Sequence, residues 1–368
     1  MMLSPLNQRR WRNFRANRRA FWSFVVFCVL FGLSLCAEFL ANDKPLLIRF
    51  KDQYYAPIFR FYPETAIGGD FQTEAIYRDQ FVQCLIKAAG NAACFDDPAA
   101  AMLDAADGDI AGEKVQTGWM LWPPIPYSFN TINDIEGTAP SAPDAQHLLG
   151  TDDTARDVVA RVIYGFRLSV AFALITTLLT SLIGIAAGAV QGFFGGLVDL
   201  TFQRIIELWG AIPTLYVIII VAAFVPMNFW LLVFLMVLFG WTALVGVVRA
   251  EFLRARNFEY VRAARALGVS NRVIMFRHVL PNAMVATLTF LPFIITGAIG
   301  TLASLDFLGF GLPSSLPSLG ELTLQAKQNL QAPWLAFTAF FTFATMLSLM
   351  VFIFEGVRDA FDPRKIFK

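Results

Sequence analysis

Apolar and polar positions divide this chain into six lipid-length stretches and two long polar intervals. The apolar stretches cover residues 21–40, 168–190, 197–225, 229–248, 283–308 and 334–356. A helix of roughly 20 apolar residues suffices to cross a bilayer, so the pattern predicts six transmembrane helices. The first polar interval, 41–166, separates the first two spans, and the second, 249–282, separates the fourth from the fifth. In the second interval Tyr260, Ala263, Ala264 and Leu267 fall at i, i+3, i+4 and i+7, the spacing of one helix face. Gly268 follows where a helix end needs a left-handed residue. Ser270 is placed to cap a second helix with Val273, Phe276 and Leu280 on one side, and Pro281 to stop it.

Residues inside the spans refine this picture. Gly184, Gly188 and Gly192 recur every four positions and predict a close helix contact. The third span carries Asp199, Arg204 and Glu207. Arg204 and Glu207 are three apart and can neutralise each other on one face, while Pro213 predicts a kink. Ahead of the second span, Thr151 or Asp153 is expected to cap a short amphipathic helix bearing Val158, Val162 and Ile163. The 41–166 interval is polar with scattered aromatics. Its Pro123-Pro124-Ile125-Pro126 run and its alanine-rich acidic stretch argue against one compact independent domain.

Composition agrees with a polytopic membrane protein, at 57% hydrophobic and 15% charged residues. The net charge of +1 conceals a strong asymmetry. Arg9, Arg10, Arg12, Arg15, Arg18 and Arg19 stand in residues 1–20 without an acid, and the 249–277 stretch is again basic. The 41–166 interval is acidic, with Asp96, Asp97, Asp104 and Asp107 among its charges. Arginine-rich flanks stay in the cytoplasm, so both termini are expected inside and the acidic interval outside. An arginine cluster directly before a span is a topology signal rather than a nucleic-acid patch. Cys28 and Cys36 lie in the first span, while Cys84 and Cys94 lie in the oxidising exterior and are expected to form a disulfide.

Much chemistry is absent. With only His147 and His278, no metal-ligand set forms, and neither a phosphate loop with Lys-Ser or Lys-Thr nor a Gly-x-Ser-x-Gly elbow is present. No catalytic residue and no metal are assigned. Asp306, at the end of the fifth span, and Arg156, ahead of the second, are candidates for substrate contact, with local capping and pairing as their alternatives.

Arg262-Ala263-Ala264, Gly268 and Leu280-Pro281 carry a resemblance. In identity and spacing they resemble the signature loop of permease subunits of binding-protein-dependent ABC importers, with Arg262 where that loop has Glu. Residues 16–47, the lead-in from Leu149 to Ser169, and the segments Leu305-Asp306-Phe307-Leu308-Gly309 and Ser318-Leu319-Gly320-Glu321 are similar to dipeptide and oligopeptide permeases. Within these, the first segment looks like the Yej-type peptide (microcin C) importer branch. The resemblance implies an all-α, six-helix type I ABC importer permease with an extracytoplasmic insert between helices 1 and 2. Its parts would be a basic cytoplasmic terminus (1–20), helix 1 (21–40), a periplasmic cap (41–166), a five-helix core (167–358) with coupling loop 249–282, and a cytoplasmic tail (359–368).

It also implies location in a bacterial inner membrane and a role in importing peptides, peptide antibiotics among them. The implied partners are a second permease, ATP-binding subunits that hold ATP and magnesium, and a periplasmic substrate-binding protein. The chain itself would bind no cofactor and no nucleic acid, and membrane lipid would surround it. Tyr260, Arg262, Ala263, Ala264, Leu267 and Gly268 would couple it to the ATPase. Rival readings are import of nickel or another small solute, and an ion-coupled secondary carrier. No histidine or methionine cluster outside speaks for the metal, and neither inverted repeats nor mid-membrane charges speak for the carrier.

Overall fold

The computed structural model describes residues 5–106, 109–110, 113–114, 117–135 and 137–361. The expected tail therefore lies outside the described residues beyond Phe361, as do residues 1–4 and Asp107. The chain divides into two compact units, one of Leu33–Tyr164 and one of Met1–Gly32 with Gly165–Lys368.

Among the described residues, five helices are long and apolar enough to cross a membrane: Arg18–Leu35, Val158–Phe194, Phe229–Ala255, Ala286–Phe307 and Pro333–Phe361. The sixth stretch is broken. The expected continuous third span is two helices, Gly196–Gly210 and Thr214–Phe224, bent by 60°. Pro213 sits at the N-cap of the second piece with extended backbone. A proline has no N–H to offer the preceding turn, and here the chain turns rather than kinks.

The lead-in also differs from expectation. No separate amphipathic helix precedes the second span: one helix runs Val158–Phe194, 37 residues. Its cap is neither Thr151 nor Asp153 but Asp157, whose Oδ1 accepts from Ala160 N at 2.8 Å. Thr151 Oγ1 instead accepts from Ser141 N at 2.8 Å. Nothing between 158 and 194 interrupts a helix, because no proline occurs there. At about 1.5 Å per residue the helix is roughly 55 Å long, well beyond a hydrocarbon core of about 30 Å.

Within the membrane unit, Gly184, Gly188 and Gly192 form the close contact their spacing predicts. A Cβ on Gly184 would lie 2.5 Å from Trp241 O, one on Gly188 2.8 Å from Val245 O, and one on Gly192 2.5 Å from Arg249 O. Two backbones meet here, so nothing flexible can yield. Gly192→Ala should lower the stability of the purified chain by about 1–3 kcal/mol. Gly246→Ala, where a Cβ meets nothing within 4 Å, should cost nothing. Equal thermal transitions for the two variants would refute the contact.

The insert unit is more ordered than its composition suggests. Strands Gln53–Tyr55, Leu47–Phe50 and Trp119–Leu121 make an antiparallel sheet in that spatial order, with Ile48 opposite both Tyr55 and Met120. An all-α description thus holds for the spans and not for the insert. Ile48, Phe50, Ile67, Tyr77, Val82 and Ile86 form one core under this sheet. The alanine-rich stretch, read as an argument against compactness, forms helix Pro98–Ala106. Its Ala101 and Ala105 bury themselves on Cys84, Leu85 and Cys94, because short side chains let helices approach closely. Cys84 and Cys94 are joined as a disulfide, with Cα atoms 5.7 Å apart.

Candidate functional site

The stretch 256–283 of the membrane unit is built as helix, reversal and helix. The loop helix Glu259–Ala266 starts at Phe258, whose extended backbone ends the preceding turn. It ends in two hydrogen bonds, Gly268 N to Arg265 O at 3.0 Å and Val269 N to Ala264 O at 3.1 Å. Gly268 has φ +76°. These are the paired bonds of a Schellman ending, which needs a left-handed residue and so favours glycine. A Cβ on Gly268 would meet nothing within 4 Å. The glycine is there for its backbone, not for space.

The second half departs from the spacing. Ser270 occupies the N-cap of Asn271–Val273 but makes no side-chain capping bond. The chain then widens into a π-helix, Ile274–Val279, and enters helix Leu280–Phe307 without stopping at Pro281. Proline is tolerated in a helix's first turn, and the π segment before it supplies the shift in hydrogen-bond register. That wider turn also changes which residues face inward. Ile274, Met275 and Val279 are buried, whereas Val273 and Phe276, expected to share a face with Leu280, are exposed.

The loop helix has two faces. Val261 and Ala264 pack inward against Phe193, Val248, Phe252 and Ile274. Tyr260, Arg262, Ala263, Ala266, Leu267 and Gly268 are exposed, Leu267 at 83%. Of the residues expected to meet a partner, Ala264 is therefore the one turned away, into its own core. Its small size serves the contact with the spans. Tyr260 Oη accepts from Asn282 Nδ2 at 3.5 Å, and the Arg265 guanidinium lies 5.2 Å from the Phe193 ring centroid.

A salt bridge holds the root of the loop. Arg249 donates through Nε and Nη2 to Asp199, at 2.5 and 2.7 Å, and Gln191 Nε2 donates to Asp199 O at 3.2 Å. A bidentate pair fixes orientation as well as distance. The expected pair Arg204–Glu207 forms at 2.6 Å on an exposed face. Asp199 and Arg249 stand 50 residues apart, and no local spacing could link them.

The two substrate candidates are both engaged internally. Asp306 is buried and accepts from Leu312 N at 2.7 Å and from Ser318 Oγ, closing the turn between Phe307 and Leu319. Arg156, in the insert unit, donates through Nε to Asp152 Oδ2 at 2.7 Å. Both side chains are thus engaged by partners within the chain. Among the described residues no group of three or more His, Cys, Asp or Glu is arranged to hold a metal ion.

Residues 181–367 match the family model "Binding-protein-dependent transport system inner membrane component", and residues 4–58 match "N-terminal TM domain of oligopeptide transport permease C". Similarity extends over nearly the whole chain to "Inner membrane ABC transporter permease protein YejE" of Escherichia coli (strain K12), 52% identical across 99% of this chain and 98% of that protein. The "Peptidoglycan transport system permease protein YejE" of Agrobacterium fabrum (strain C58 / ATCC 33970) is also 52% identical, across 99% of this chain and 95% of its own length. "Oligopeptide transport system permease protein OppC" of Bacillus subtilis (strain 168) is 34% identical over 65% of this chain and 78% of its length. With the membrane helices and the ordered loop already in place, these matches show that the chain belongs to the binding-protein-dependent transport family, as a membrane permease subunit of an ABC transporter.

Proposed function

We propose that this permease lines the path of an ATP-driven importer of peptides and that the outward face of Glu259–Ala266 receives the motion of an ATP-binding subunit. One observation carries the second part. The loop helix is anchored on one face by a buried apolar cluster, pinned at its end by Gly268, and leaves Arg262, Ala263, Ala266 and Leu267 exposed on the other. Small residues flanking one projecting leucine suit a groove in a partner. A rigid connection to the spans lets a displacement of that face become a displacement of helices.

Peptide cargo is supported by the names of the relatives, which include oligopeptide and peptidoglycan transport. Peptides released from the cell wall belong to the same chemical class. The partners in this reading are a second permease, ATP-binding subunits and an extracytoplasmic substrate-binding protein. ATP and magnesium sit on the ATP-binding subunits, and no residue here performs hydrolysis. The arginine-rich start and the loop face the cytoplasm, and the insert with its Cys84–Cys94 disulfide faces outward. Energy input is required because a permease alone only lets cargo equilibrate between its two sides.

Single cysteines placed at Ala263, Leu267 and Ala264, in a background with Cys28 and Cys36 replaced by serine, test the assignment. Ala263→Cys and Leu267→Cys should crosslink to the co-expressed ATP-binding subunit, with a yield that changes on adding ATP or a non-hydrolysable analogue. Ala264→Cys should not crosslink. An assembled complex in which no outward position crosslinks defeats the coupling role.

A further inference from the structure

The insert unit carries large apolar side chains that its own core does not use. Phe59 and Phe61 are 71% and 61% exposed, on either side of the exposed Arg60. They sit on a turn that the fold shapes in advance. The turn follows strand Gln53–Tyr55 directly, and Phe59 N and Arg60 N both donate to Ala56 O, at 3.0 and 3.3 Å. At its base the Tyr55 and Tyr62 rings meet edge to face, with centroids 5.1 Å apart. Among the described residues Arg60 has no carboxylate partner.

What lies beside this turn is set by the first span. Helix Arg18–Leu35 begins on two arginines and is continued, past Cys36, by the short helix Ala37–Leu40. Counted along the chain from Arg19 at about 1.5 Å per residue, Phe39 comes about 30 Å further on, the thickness of a hydrocarbon core. Ala37 and Ala41 pack on Ala160 and Tyr164, just ahead of the apolar run of the second span, and Tyr164 Oη donates to Ala41 O at 3.0 Å. Two spans thus reach the same bilayer surface side by side. Phe39 is exposed there, and its ring meets the Phe59 ring edge to face, with centroids 5.7 Å apart. The turn therefore stands at the depth of the lipid headgroups.

We infer that the turn 56–61 enters the bilayer interface beside the first span, with Phe59 and Phe61 at the boundary of headgroups and acyl chains and Arg60 at the phosphates. Aromatic rings at that boundary leave water without leaving polar neighbours, and phosphate oxygens are the acceptors a guanidinium finds there. The occupant is lipid rather than another protein, because the patch continues a span end that is itself embedded in lipid. A turn already fixed by its own hydrogen bonds loses little freedom on entering. The inference requires neither the coupling role nor a choice of which side of the membrane the insert faces.

Nitroxide labels on single cysteines test it, in the full chain purified with the subunits it assembles with and reconstituted into lipid nanodiscs. Cys28 and Cys36 are replaced by serine, and the Cys84–Cys94 disulfide is kept. Labels go to Phe59→Cys, Phe61→Cys and Asp104→Cys, the last an exposed acid of the same unit that serves as the aqueous reference. Collisions with oxygen, which concentrates in lipid, are compared with collisions with a nickel chelate, which stays in water. Oxygen should dominate at 59 and 61, and the chelate at 104. Dominance of the chelate at 59 and 61 overturns the inference. Protection from both reagents would mean that a second permease or a binding protein covers the turn, and overturns it equally. A label at Arg60→Cys tests the cause. It should read as lipid with both rings present and as water, like position 104, in Phe59→Asp/Phe61→Asp. Both rings are exposed and outside the insert core, so this variant should still assemble. A label at 60 that keeps its lipid reading there would show that the rings do not hold the turn in the bilayer, and the inference falls.

Discussion

Asp152→Ala should destabilise the insert unit by about 3–5 kcal/mol, the cost of removing one partner from a buried ion pair. Asp152 is fully buried. Its Oδ1 accepts from Thr154 N at 2.9 Å, Thr154 Oγ1 at 3.0 Å and Arg156 N at 2.9 Å. Its Oδ2 accepts from Arg156 Nε at 2.7 Å and lies 3.4 Å from Arg161 Nε. Arg161 is itself fully buried, so the carboxylate balances charge where water cannot. Alanine would leave two guanidinium groups to share what remains, whereas Asp152→Asn keeps an acceptor and should fall between. Asp153 provides the comparison. It lies 4.0 Å from Arg156, and its side chain is 32% exposed.

Burial, then the charge of neighbouring Asp152, raises the Asp153 pKa above the ordinary carboxylate value. An acid whose folded pKa is raised costs stability while ionised. That cost disappears as the pH falls through the raised pKa. Asp153→Asn should therefore leave stability unchanged or slightly higher at neutral pH and remove this gain on mild acidification. Thermal unfolding of the purified full chain, with limited proteolysis of the insert as a second readout, measures both. Matching losses for Asp152→Ala and Asp153→Ala would show that the buried network carries no special weight.

What could be read in advance follows from the range of the forces involved. Lipid requires whole apolar stretches, so the spans announce themselves, and the bent pair alone needed coordinates to be seen as broken. Gly184, Gly188 and Gly192 lie within two turns of one helix, so their contact face was visible. Gly268 was visible for a similar reason: a helix end imposes its requirement locally. Contacts that join distant positions were not. Leu47–Phe50 finds Trp119–Leu121 some seventy residues on, and Asp199 finds Arg249 across another helix. The inward turn of Ala264 was hidden by a helical stripe that fits either face, because alanine can pack against a partner or against its own core. The π segment displaced Val273 and Phe276 in a way that a regular 3.6-residue period does not foresee.

The loop's two faces make the second large prediction a separation of two losses. Leu267→Asp should leave the chain in the membrane at normal levels and with normal thermal stability, because Leu267 is 83% exposed and supports nothing within the chain. Uptake should nonetheless fall by at least about a hundredfold. A carboxylate without a partner in an apolar groove costs several kcal/mol, and every 1.4 kcal/mol is about tenfold in association. A negative charge at a helix C-terminus is also unfavourable, by about 0.3–1 kcal/mol. Leu267→Lys reverses that smaller effect and should lose uptake as well, so the groove and not the helix dipole is responsible. Ala264→Asp should fail differently. Its carboxylate would enter the apolar cluster of Val261, Phe193 and Phe252, where burying a charge is costly. Loss of stability and of membrane level should come first, and loss of uptake should follow from them. Measuring transport, membrane abundance and thermal transition on the three variants separates the faces. Full uptake with Leu267→Asp would place the ATP-binding subunit elsewhere. A stable, abundant Ala264→Asp protein would mean that the loop helix is turned the other way, with Ala264 toward the partner.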